Sequence, residues 1–386
     1  MRGLRRCRSS MRIAYDAIVV YIKRKRKRHG VPLHMRAAPT PRWVLRHHAP
    51  TAVHTVAFTN GHEYVIAGDA KGRVSVTSTT DYRPRLFWNA HSDTVLRAGA
   101  WSGYIVTHGR DNRICVWEAP DEYISAPFAA GGLEMKDTDE APPLVLELPV
   151  NALNYCPFDM VALDAGHAML AVPNTIESAH VDIYALPECT RTIAAIGSDS
   201  VAAAGAVRPA IAMSLRLFYR DVQLRLLVGY EDGAVSMWTL TDAAALEWSE
   251  KRHVESVMSM ALSPDASFAV SVGADDRVAM YGAESLTRST GHFGNAAASI
   301  RSDSRVLAVG SWDSRVRIYS LPAVKHLATL AYHKESVYSV AFAKQGPCIG
   351  NSEREPGPAI DRWLACASKD GRISLWDPSF TTNDAM

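Results

Sequence analysis

The chain has 386 residues, 47% of them apolar, and a formal net charge of +2. That apolar fraction supports a large core and excludes global disorder. The small net charge hides an asymmetry: residues 1–36 hold twelve Lys or Arg and one acid, Asp16, while the rest carries 30 basic and 39 acidic side chains. The six cysteines are scattered without a C-x-x-C pair, which fits buried reduced thiols of an intracellular protein better than a disulfide framework or a zinc site.

In chain order the leader comes first. Its apolar run Ile13–Ile22 is ten residues long and contains Asp16, too short to span a bilayer and unlike a signal peptide. The run Lys23-Arg-Lys-Arg-Lys-Arg28 has three readings: a nuclear-localisation or nucleic-acid tail, an Arg-rich transit peptide, or a disordered or mis-assigned upstream piece with Met35 the true start. From Arg42 onward the chain becomes short alternating apolar runs punctuated by Gly, Asp, Asn and Pro, the pattern of β-strands. Arg42-Trp-Val-Leu-Arg46 is such a strand with no partner of its own.

A repeat then sets the architecture. Five times an aspartate is followed six residues later by an aromatic: Asp111–Trp117, Asp232–Trp238, Asp275–Tyr281, Asp313–Tyr319 and Asp370–Trp376. Degenerate copies run Lys71–Thr77 and Ser178–Tyr184, making seven. The starts are separated by 40, 67, 54, 43, 38 and 57 residues, three of them close to the roughly 40–45 of a four-stranded propeller blade. Insertions at 119–147, 186–209 and 345–361, rich in Gly, Pro, Ala or charge, account for the longer intervals as loops. A histidine precedes several copies: His91, His253, His333 and, less regularly, His48. Only about ten residues follow Trp376, so the Arg42–Arg46 strand is expected to complete the last blade and close the circle.

The pattern is that of WD40 repeats and predicts an all-β, seven-bladed propeller over 39–379, a basic leader over 1–38 and a short tail over 380–386. In such blades the His, a hydroxyl, the Asp and the Trp form a buried hydrogen-bond chain, so His91, Asp111, Trp117, Asp232, Trp238, His253, Asp275, Asp313, His333, Asp370 and Trp376 are assigned structural roles. No P-loop, dinucleotide fingerprint, H-E-x-x-H or G-x-S-x-G occurs, so no catalytic, cofactor or metal residue is assigned. The adjacent pair His47-His48 would point to opposite faces of a strand rather than share a ligand. Partner binding is expected where the residue before the repeat aspartate reaches one propeller face: Arg110, Glu231, Trp312 and Lys369, with Ala274 in the same register. Trp312 offers an apolar anchor with a donor at its edge.

Longer segments narrow the resemblance. Thr107–Trp117, Leu148-Pro-Val-Asn-Ala-Leu-Asn-Tyr-Cys156, Gly229–Trp238, Ser299–Ala308, Trp312–Arg317 and Ala367–Trp376 occur in that order. Together they resemble the G-protein beta-subunit-like family that includes the ASTRA-associated WD40 protein. The resemblance implies a non-catalytic scaffold linked to maturation of phosphatidylinositol-3-kinase-related kinases and to chromatin complexes. It also implies large helical-repeat chaperone subunits as partners, a monomer within a larger complex, no membrane, and a nuclear or cytoplasmic location. Two other readings stand beside it. One is a Gβ-type signalling adaptor, although no heptad run precedes Arg42. The other is a nucleic-acid factor acting through the basic leader.

Overall fold

The computed structural model describes residues 39–59, 63–119, 141–164, 166–197, 210–283, 285–343 and 363–377. The leader, the tail, the 345–361 insertion and parts of the other two, 120–140 and 198–209, lie outside the described residues. The described chain is all β: seven four-stranded antiparallel sheets, each formed from strands that follow one another in sequence. The seventh is the exception. There Trp43–Leu45 pairs antiparallel with Ile373–Trp376, Trp43 opposite Leu375 and Leu45 opposite Ile373, so the first described strand supplies the outer strand of the last blade. That pairing gives the seventh blade its fourth strand, so that it matches the other six.

Packing makes the sheets a ring. Among the described residues there are seven apolar clusters, and each joins one blade to the next. Val74 and Trp88 of blade one meet Val95 and Trp117 of blade two, and the series runs on to Trp376 and Phe342 of blade seven against Val316 and Leu330 of blade six. The last cluster sets Leu45, Ile373 and Leu375 of blade seven on Val53 and Val65 of blade one. The second strand of a blade is covered on both faces, as in Tyr64–Asp69 and Val306–Ser311, where every residue is buried. Such strands read as continuous apolar or small runs rather than alternating ones. The outer strand Ala244–Lys251 is half-exposed and does alternate in character.

Two expected loops contain strands. Leu144–Pro149, partly inside the 119–147 insertion, is the outer strand of blade two. Thr190–Ile196, inside the Ala-rich 186–209 stretch, is the outer strand of blade three. Outer strands bury little, so their composition resembles that of loops and hides them.

The innermost strand of each blade is an edge, and the amides that do not pair with the second strand face away from the sheet. Side chains from the neighbouring blade satisfy several of them. Ser339 Oγ accepts from Val56 N at 3.2 Å, Ser259 Oγ from Ala298 N at 3.2 Å, and Ser299 Oγ from Phe342 N at 3.0 Å. Asp159 Oδ2 accepts from Leu217 N at 2.8 Å. Removing one acceptor strands a partly buried donor. Ser339→Ala is therefore expected to cost about 1 kcal/mol and to speed exchange of the Val56 amide proton, read by hydrogen-exchange mass spectrometry. Unchanged exchange there would show that this stitch carries no weight.

Six innermost strands share one irregularity. Their register with the second strand shifts after the first residue, at Val53/Thr55, Val95/Arg97, Ala212/Ser214, Val257/Ser259, Asn295/Ala297 and Val337/Ser339. A bulge at the same place turns each strand as it enters the sheet. Blade three, whose inner strand is only Asp159–Ala162, has no such shift.

Candidate partner-binding face

Three blades carry the full buried chain. In blade two Trp117 Nε1 donates to Thr107 Oγ1 at 2.9 Å, Thr107 Oγ1 lies 2.8 Å from His91 Nε2, and His91 Nδ1 lies 3.0 Å from Asp111. In blade seven Trp376 Nε1, Ser374, His333 and Asp370 repeat it at 2.8, 2.7 and 3.1 Å. Blade five uses Tyr281, Ser271, His253 and Asp275 at 3.1, 2.7 and 2.9 Å. Proton direction is consistent along each: the aromatic donates to the hydroxyl, the hydroxyl to Nε2, and Nδ1–H to the carboxylate. Burial pushes each of these aspartates up, but the histidine bond and backbone amides outweigh it and hold Asp111, Asp275 and Asp370 below the ordinary carboxylate range.

The order hydroxyl–imidazole–carboxylate is also that of a hydrolase triad. Its surroundings differ: Ser271 and Asp275 are fully buried and His253 is 1% exposed. A substrate carbonyl cannot reach that hydroxyl, and the chain there holds the blade in shape.

The other blades depart from the expected roles. In blade one the carboxylate is Asp69, two residues before Lys71. His48 Nδ1 meets it at 2.8 Å, and Arg73 Nε donates to it at 2.7 Å. His47 and His48 do not diverge, since they lie in a turn rather than a strand, and the Nε2 atoms of both reach Ser75 Oγ, at 3.1 and 2.8 Å. In blade three Asn151 takes the histidine position and donates to Ser178 Oγ at 2.9 Å, so both partners differ from the motif while the bond stays. In blade six Asp313 pairs with Arg317, four residues on, instead of a histidine. Asp232 of blade four is a correction to the assigned role: its side chain is 46% exposed, caps Ala234 N at 3.0 Å and lies 3.7 Å from Lys251 Nζ. Trp238, six residues later, stays buried in the cluster between blades three and four.

The residues preceding the repeat aspartates occupy equivalent places. The amides of Arg110, Glu231, Ala274, Trp312 and Lys369 donate to the carbonyls of Thr94, Ile211, Ser256, Gly294 and Ser336, at 2.8 to 3.0 Å. Each is thus pinned to the loop entering the innermost strand of its own blade, and all five lie on one face. Lys369 is exposed, and the other four are half-buried. The Trp312 ring lies on Gly294, where a Cβ would fall 2.4 Å from Cε3, so it is both plug and surface. Arg110 stacks on the Tyr155 ring at 4.0 Å.

Sequence reasoning missed other groups around the axis. His54 and Tyr338, the bulged residues of blades one and seven, stack at 4.6 Å; burial, with Arg110 and Lys369 nearby, lowers His54 to about 4. Asp159 receives Arg97 at 2.7 Å and Arg216 at 3.5 Å from the flanking blades. Neither belongs to the repeat motif, and only the ring brings them together. Among the described residues no three His, Cys, Asp or Glu side chains gather as metal ligands, and no helix is long and apolar enough to cross a membrane.

Fold and buried chains together define a WD40 propeller. The family model for the WD domain, G-beta repeat, matches residues 284–320 and 324–377. Similarity to characterised proteins extends much further. ASTRA-associated protein 1 of Verticillium alfalfae is 33% identical over 89% of this chain and 94% of its own length. The Schizosaccharomyces pombe protein of the same name is 29% identical over 88% and 98%. Guanine nucleotide-binding protein subunit beta-like protein 1 of mouse is 27% identical over 88% and 96%. The chain belongs to the ASTRA-associated protein 1 family of WD40 proteins.

Proposed function

We propose that the protein is a non-catalytic adaptor of an ASTRA-type assembly, working in the maturation of phosphatidylinositol-3-kinase-related kinases or in chromatin-related complexes of the nucleus or cytoplasm. The observation that carries this is near full-length similarity to proteins named for association with ASTRA. The sealed triads and the closed ring support it, because a rigid ring with pinned loops suits holding partners rather than turning over substrate. Its partners are proteins, in particular large helical-repeat chaperone subunits, and Trp312, Lys369, Arg110 and Glu231 are their candidate contacts. Affinity purification of tagged full-length protein with quantitative mass spectrometry tests the reading. Large helical-repeat subunits should co-purify, and Trp312→Ala should reduce their yield several-fold while the protein stays folded. Recovery of no such subunit above background overturns it. The mouse relative's name supports a Gβ-like adaptor as a second reading, and recovery of a Gγ-like chain in the same experiment would favour that.

A further inference from the structure

The connection from blade two to blade three, residues 150–158, is held more tightly than its exposure requires. Three asparagines clamp it. Asn112 accepts from Ala152 N through its side chain at 3.1 Å and from Val150 N through its carbonyl at 2.9 Å. Asn151 donates to Asn174 O and Ser178 Oγ and accepts from Leu153 N. Asn154 donates to Ala212 O of blade four and accepts from Cys156 N. The turn beside it is tied as well, with Asn174 Oδ1 accepting from Ile176 N and Glu177 N at 2.9 and 3.0 Å.

Beside the exposed Thr175 and Glu177, this framework presents three large apolar side chains to water. Leu153 is 63% exposed, Tyr155 47% and Ile176 92%. Tyr155 sits at φ 60°, a conformation that costs a non-glycine residue energy and is held only where its surroundings fix it. Arg110 lies under it at 4.0 Å. The Arg110 guanidinium has no carboxylate partner among the described residues, and its Nε is buried with no acceptor. The carboxylate next to it in the chain, Asp111, is engaged elsewhere, filled by His91, Ser92 and Arg113.

We propose that Leu153, Tyr155 and Ile176, with Arg110 beside them, form a preorganised docking surface for a partner segment that sets a carboxylate between apolar side chains. The apolar groups of the partner cover the three exposed side chains, and its carboxylate accepts from the unfilled guanidinium. Order built in beforehand spares the cost of fixing a loop on binding, and an aromatic–arginine pair is a common centre of binding energy. The proposal rests on the adaptor reading and assigns it one surface and one partner chemistry.

The test uses purified full-length protein and three labelled 15-residue peptides: one with Glu flanked by Leu and Phe, one with Lys in place of Glu, and one with Ser in place of the apolar residues. Fluorescence anisotropy should show the first binding about tenfold more tightly than either other. Leu153→Asp and Ile176→Asp should each weaken it about tenfold, with unchanged circular dichroism because both positions are exposed. Arg110→Glu should reverse the preference between the Glu and Lys peptides. Equal binding by wild type and variants, or no binding of the first peptide, overturns the proposal. So does a sedimentation shift from dimer to monomer in Leu153→Asp, which would assign the patch to a second copy of the chain. In tagged purifications, partners kept equally by wild type and Leu153→Asp overturn the patch and leave the adaptor reading standing. A wild type that retains no partner overturns the adaptor reading, and the peptides still judge the patch.

Discussion

Replacing Asp275 by alanine is expected to lower unfolding stability by about 3 kcal/mol, whereas the same change at Asp232 should move it by about 0.5 kcal/mol or less. The two residues hold the same place in the repeat, so a motif-level argument would treat them alike. Their surroundings do not. Asp275 is fully buried and accepts from His253 Nδ1, Val254 N at 2.8 Å and Arg277 N at 3.0 Å. Its loss leaves three donors without an acceptor and the His253 chain open at one end. Asp232 is half in water, with one backbone amide and one distant lysine, so solvent replaces what is lost. Urea unfolding followed by tryptophan fluorescence measures both. Equal losses at the two positions would mean that the buried chain contributes nothing beyond the turn that both aspartates cap.

That contrast shows where legibility in the sequence ends. Strand alternation, the Asp-x5-aromatic spacing and the unpaired Arg42–Arg46 strand specify the ring, because blade geometry demands those residues locally, and the closing pairing of Trp43–Leu45 with Ile373–Trp376 follows from counting strands. Blade one was harder, since its carboxylate moved from the repeat position to Asp69, on the preceding strand, and only the approach of His48 makes that visible. Blade three conceals an Asn151–Ser178 bond in which neither residue type matches the motif. Outer strands such as Thr190–Ile196 escape detection because partial exposure relaxes the apolar pattern. On the candidate face, Arg110 and Trp312 are found by counting back from an aspartate, but Tyr155 and Ile176 are not. They come from connections of irregular length, and the stacking of Tyr155 on Arg110 joins two blades that the sequence keeps apart. The Asn151-x-x-Asn154 spacing was the available signal: asparagines in a connection commonly tie backbone, and the residues between them then have a fixed direction.

Acid should destabilise the protein well above the range where carboxylates titrate. Burial pushes His108 down to about 3, with the nearby His91 adding in the same direction and Asp111 opposing. Its Nδ1 accepts from Phe158 N at 3.3 Å, which places the proton on Nε2, an atom with no partner among the described residues. A second proton would put a charge in that site, so the folded state refuses it while the unfolded chain accepts it below about pH 6.5. The unfolded state then binds more protons, and stability must fall as pH falls from about 6.5 toward 3, at about 1.4 kcal/mol per pH unit for each such group. Burial also lowers His47 to about 3 and His54 to about 4, so they act in the same window. The aspartates paired with His48, His91, His253 and His333 have depressed values; their contribution is present above about pH 4 and is lost below it, a separate and more acidic step. Between pH 7.5 and 5.0 His108 alone should account for about 2 kcal/mol of lost stability. His108→Leu strands the Phe158 amide at every pH and so lowers stability by a constant amount, but it removes the titration. Its urea-unfolding free energy should therefore drop about 2 kcal/mol less over that interval than the wild type's. Parallel pH profiles for the two proteins would show that the folded state does accommodate the second proton on His108, and that the acid sensitivity arises elsewhere.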